Sequence, residues 1–143
     1  MWEQTLLAVL NASQVTVGIL HGTVTSDDAA ILLLCDVVVA AEDATLIFAR
    51  RLPPPAVVGC SEFAAWLSPQ PWDSYRLMEL GLVTDVVPAN ELESWSGEWA
   101  TAIERWDHST LHESRALFRT AHRGLADAVT AWSQARSRTG VGD

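Results

Sequence analysis

Two apolar runs of strand length stand on either side of a helix-forming interval, and this arrangement limits what the chain can fold into more than any other feature. The first run, Val15-Thr16-Val17-Gly18-Ile19-Leu20, lacks polar alternation and reads as a strand buried on both faces. His21-Gly22 then turns the chain. Ser26 followed by Asp27 and Asp28 reads as an N-cap with acids in the first helical turn. The helix carries Ala29 to Leu34 and is expected to end near Cys35-Asp36. Val37 to Ala40 is a second short buried strand, and Thr45 to Phe48 a third after the turn at Glu42-Asp43. Strand, helix and strand this close together make a β-α-β unit, and so an α/β chain.

Beyond these runs, Pro53-Pro54-Pro55 is incompatible with a helix interior or a central strand, so Arg50 to Gly59 is expected to be an extended surface loop. Glu62 to Leu67 forms a short helix. Asp73 or Ser74 caps another that Gly81 closes, and Leu82 to Val87, before Pro88, reads as a strand. From Asn90 the pattern becomes helical. Leu92, Trp95, Trp99, Ile103 and Trp106 recur at three- and four-residue steps and predict one apolar stripe. Ser109 is expected to cap the following helix. After Gly124, Leu125, Val129 and Trp132 mark a last one. The organisation is thus a β/α core over 1–89 and a helical region over 90–143, and no internal repeat is visible.

Composition narrows the function classes. The chain has 143 residues, enough for one sizeable core, and its longest apolar run, Ala29 to Leu34, is far short of a membrane span. No secretory-type segment is read near Met1-Trp2-Glu3-Gln4, so a cytoplasmic protein is expected, with no membrane partner. Cys35 and Cys60 sit among apolar or small residues, as reduced core thiols do. A formal charge of -9 argues against nucleic acid, whose binders present basic faces. All nine basic residues are arginine, and the six from Arg105 onward are expected to form a solvated helix face.

The stretch Val15 to Phe48, with His-Gly, a twelve-residue helical interval, Cys-Asp and the Ala-Glu-Asp-Ala-Thr-Leu turn, resembles the core of the crotonase (enoyl-CoA hydratase/isomerase) family. So does Asp73 to Pro88, where a short helix runs into Gly-Leu-Val-Thr-Asp-Val-Val-Pro. The resemblance implies a ClpP/crotonase-like ββα core, N-terminally shortened, followed by a C-terminal helical region through which such proteins assemble. It implies acyl thioesters of CoA or phosphopantetheine as substrates, with acyl-CoA or acyl carrier protein as partners and no resident cofactor.

The departures from the family pattern matter as much. Crotonases hold the thioester oxygen with two backbone N–H groups. The segment that would supply the first has no counterpart here, and Ser26-Asp27-Asp28 stands where the second has a Gly-rich turn. Carboxylates at a helix N-terminus take the place of the anion that the helix would otherwise attract. The two glutamates of hydratases correspond to Ala30 and Arg50, which cannot activate water or protonate carbon as carboxyl groups do.

Two functions from different classes follow. The first is a catalytically silent subunit that assembles with itself or with a crotonase homologue. The second is an isomerase, dehydratase or decarboxylase of acyl thioesters in fatty-acid or polyketide metabolism, with His21, Asp27, Asp28 and Arg50 as catalytic candidates and Gly22, Ser26 and Asp27 around the substrate. A non-catalytic binder of acyl thioesters is a third reading. Each candidate has a structural role as well: His-Gly is a turn, and Ser-Asp-Asp a helix start. His108 and His112 are four apart beside Asp107, but a cap at Ser109 puts His108 before the helix, so no metal is expected.

Overall fold

The computed structural model describes residues 2–47, 52–60, 63–67, 70–121 and 124–139. After α1 (Trp2–Leu10), the chain runs β1 (Val17–Leu20), β2 (Thr23–Thr25), α2 (Ser26–Leu32), β3 (Val37–Ala41) and β4 (Thr45–Ile47). It visits two sheets in the same order twice, because β1 pairs in parallel with β3 and β2 in parallel with β4. Gly22, at φ 60°, is the corner between β1 and β2, a left-handed conformation that other residues adopt at a cost. The first sheet is completed by β6 (Asp85–Val87), in the order β1-β3-β6, and the second by β5 (Trp72–Asp73) antiparallel to β4. This is the mixed α/β, ββα-type architecture that the family resemblance implies; the local pattern gave only a β-α-β unit and did not show β2.

The covering helices are α3 (Pro55–Cys60), α4 (Phe63–Leu67), α5 (Ser74–Glu79), α6 (Leu92–Glu104), α7 (His108–Ala121) and α8 (Gly124–Arg138). A main apolar cluster joins Leu6 and Leu10 of α1, Leu20, Ala29, Ala30, Leu46, Val57 and Leu77 to Val129 and Trp132 of α8. The last helix therefore lies in the same core as the first, and each fully buried Leu or Val side chain contributes about 1.5–3 kcal/mol. A smaller cluster of Val39, Val87 and Trp95 fixes α6 on the first sheet, and the Trp95 indole donates to Asp85 at 3.1 Å.

Several local expectations are corrected. β1 is not buried on both faces: Gly18 and Leu20 are buried, but Val17 and Ile19 are 38% and 37% exposed, because only one face of this edge strand is covered. The proline segment is no surface loop. Pro54 and Pro55 are fully buried, and Pro55 opens α3, where a missing N–H costs nothing. Thr25, not Ser26, caps α2, and the helix stops at Leu32. β6 is shorter than Leu82 to Val87, although Leu82 and Val83 are buried. The stripe on α6 holds for Trp95 and Trp99, whereas Trp106 lies past the helix and is 60% exposed. Asp73 caps α5 and accepts from the Arg76 N–H at 2.8 Å, and Gly81, at φ 76°, follows it.

Candidate active site

The residues singled out from sequence gather around the corner between β1 and α2. His21 directly follows β1 and is exposed. The Gly22 N–H donates to the Asp43 carboxylate at 3.3 Å, while its carbonyl accepts from Thr45, so the turn is tied to the turn between β3 and β4. Thr25 and Asp28 cap each other: the Asp28 N–H donates to Thr25 Oγ1 at 3.5 Å, and the threonine hydroxyl donates to the Asp28 carboxylate at 3.4 Å. Only the first of these is a capping-box bond, since the Asp28 carboxylate meets the Thr25 hydroxyl and not its backbone N–H; it occupies one of the amides that a helix start would offer an anion.

Asp27 turns the other way. Its carboxylate accepts from Arg136 Nη1 at 2.9 Å, an ion pair that ties α2 to α8 across 109 residues. Arg136 is 7% exposed and its guanidinium lies 5.2 Å from the Trp132 ring centre. Proton transfer through Asp27 would have to break this pair. Ser26 is not the cap expected of it but the first helical residue, 3% exposed, with an Oγ that makes no hydrogen bond. Ala30 is fully buried in the main core. Arg50 lies outside the described residues.

Sequence reading missed Arg136, which was placed on a solvated face. The signal was present: Arg136 falls four residues after Trp132 on the Leu125, Val129, Trp132 stripe, so it lies on the buried side of α8. Arg115 and Arg119 correct the same expectation. Asp36 accepts from Arg115 Nε at 2.8 Å and Arg119 Nη2 at 2.7 Å, and from the Thr16 N–H at 2.9 Å. Burial works against the Asp36 charge. The Arg115 hydrogen bond, the Thr16 N–H and the two guanidinium charges outweigh it and hold the carboxyl below its ordinary 3.8. Next to it the free Cys35 thiol is raised above 9.0, mainly by burial.

His108 is a further correction. Asp107, not Ser109, caps α7, accepting from the Thr110 N–H at 3.0 Å, so His108 opens the helix on which His112 follows four residues later. Among the described residues no group of three or more His, Cys, Asp or Glu side chains is placed to hold a metal ion. Nor is any described helix long and apolar enough to cross a membrane.

No protein-family model and no curated protein matches the sequence. Solved structures do match the fold. An enoyl-CoA hydratase from Mycobacterium avium subsp. paratuberculosis K-10 superposes with a TM-score of 0.78 at 21% identity, over 92% of this chain and 59% of its own. A protein assigned as an enoyl-CoA hydratase/isomerase (crotonase) from Legionella pneumophila gives 0.75 at 22% identity, over 83% and 50%. One assigned as an enoyl-CoA hydratase from Mycobacterium thermoresistibile gives 0.80 at 16% identity, over 99% and 67%. The chain has the crotonase fold and spans about half to two-thirds of the length of these structures.

Proposed function

We propose that this crotonase-fold chain works as an assembling subunit, joined to itself or to a fuller crotonase homologue, and does not carry hydratase chemistry of its own. The observation that carries the reading is β1. It ends the β1-β3-β6 sheet, its outer edge has no partner strand among the described residues, and it presents Val17 and Ile19 half-exposed. Unpaired apolar edges of this kind associate unless something covers them. The start of α2 supports the second half of the reading, since its acids are engaged by Thr25 and Arg136. Light scattering on the purified chain, alone and mixed with a full-length crotonase, tests it. A stable oligomer is expected, with no hydration of crotonyl-CoA by the chain alone; a monodisperse monomer at micromolar concentration would falsify the assembly role.

The second reading, an acyl-thioester isomerase, dehydratase or decarboxylase, has one observation in its favour. His21 is exposed at the C-terminal end of a parallel strand, the end at which open α/β sheets hold ligands. In that case CoA or phosphopantetheine thioesters are the substrates. Turnover would then fall at least tenfold in His21→Ala, and unchanged turnover in both His21→Ala and Asp27→Ala would exclude this site.

A further inference from the structure

We propose that the cleft beneath α7 binds a small amphipathic anion, a straight-chain carboxylate whose alkyl part fills the cleft and whose head group meets Arg119. The cleft has a volume of about 410 Å³, in the range of small-molecule sites, and Val15, Leu111, Phe118 and Leu125 supply its apolar lining. It lies by Cys35 and Asp36, at the opposite end of α2 from Thr25 and Asp28. The length of the seven-residue helix, about 10 Å, separates the two places.

The way α7 is held creates this space. None of its residues is fully buried. It is anchored by polar groups instead: Arg115 reaches Asp36 and the carbonyls of Val9, Leu10 and Ala12, and Arg119 reaches Asp36 and the Leu34 carbonyl. These bonds hold the helix off the body, so Leu111 and Phe118 border a gap where an amphipathic helix would ordinarily pack. Apolar walls that face a gap lose dispersion contacts, which an alkyl chain would restore.

Charge selects the head group. Two guanidinium groups face one carboxylate, which leaves one positive charge in excess within a chain of net charge -9. Arg115 spends Nε and both terminal nitrogens on the anchors. Arg119 bonds through Nη2, while its buried Nε has no acceptor. A carboxylate at Arg119 would meet the remaining donors of a planar guanidinium fork.

Cys35 borders the cleft and reports on its occupancy. The test measures alkylation of Cys35 by N-ethylmaleimide, read by peptide mass spectrometry, with octanoate, octan-1-ol or octyltrimethylammonium added. Saturating octanoate is expected to slow alkylation about tenfold, octan-1-ol less and the cation not at all. Arg119→Gln should remove the preference for octanoate over the alcohol, and Leu111→Trp should abolish protection by filling the cleft. Absence of protection by octanoate, or equal protection by all three compounds, overturns the proposal. So does protection that appears without ligand as protein concentration rises, because a second copy is then the occupant. If Leu111→Trp does not fold, Arg119→Gln still decides.

Discussion

Asp36 concentrates more of the polar bonding than any residue picked out from the sequence, for it joins Thr16 before β1 to two arginines of α7. Asp36→Asn keeps the shape but removes the charge that both arginines face. The loss is expected to be about 2 kcal/mol, below the roughly 3–5 kcal/mol of a fully buried pair because the carboxylate is 20% exposed. Its pH dependence has a definite sign. A carboxyl whose folded pKa is depressed stabilises above its unfolded value of 3.8 and loses that contribution as pH falls through the folded value. The difference between wild type and Asp36→Asn in urea melts should therefore be full near neutrality and shrink in acid. Gly18 is a second sensitive position. A Cβ there would lie 2.7 Å from the Leu32 carbonyl oxygen and 3.3 Å from Cys35 Sγ, so Gly18→Ala should cost about 2 kcal/mol in thermal melts.

At the scale of elements, helix ends explain how distant parts of the chain are joined. The last carbonyls of α1 lack partners within the helix, and Arg115 of α7 supplies donors to those of Val9 and Leu10 and to the following Ala12. Arg119 does the same for Leu34 after α2. Arg115→Ala should accordingly release α1 as well as α7. Hydrogen exchange of the α1 amides is expected to quicken about tenfold while β3 stays protected. If only α7 responds, α1 is held by its apolar contacts with α8 and α2. The proline segment teaches a related point about position: three prolines forbid a helix interior, yet the last of them is suited to a first helical turn.

For the molecule as a whole, exposed apolar side chains fall in several places: Val17 and Ile19 on the edge strand, Val58, Phe63 and Leu67 on α3 and α4, Tyr75 and Met78 on α5, and Trp106, Leu117 and Phe118 in or just before α7. The subunit reading predicts that the edge strand, at least, is covered in solution. Ile19→Lys should shift the chain toward smaller species in light scattering, since a charge on an edge strand opposes strand addition, and should lower the melting temperature by the stabilisation that association supplied. An unchanged oligomer would place the contact elsewhere, with the α7 side chains next to be altered.

Local pattern determined much of this protein. The apolar runs of β1 and β3, the acids that open α2, the cap at Asp73, the glycine after α5 and the Leu125, Val129, Trp132 stripe were legible because each depends on neighbours within one or two turns. They gave a β-α-β unit; β2 was not among them, and the ββα order came from the family resemblance. What the sequence left undetermined depends on partners far along the chain. No local rule tells that Arg136 will meet Asp27, that two arginines of α7 will close on Asp36, or that one face of β1 stays open. The helix-start residues read first as caps and second as catalytic acids, and nothing local shows that α8 packs against them. Tertiary structure decides which partner each of these side chains meets, because ion pairs such as Asp27–Arg136 join residues that only packing brings together.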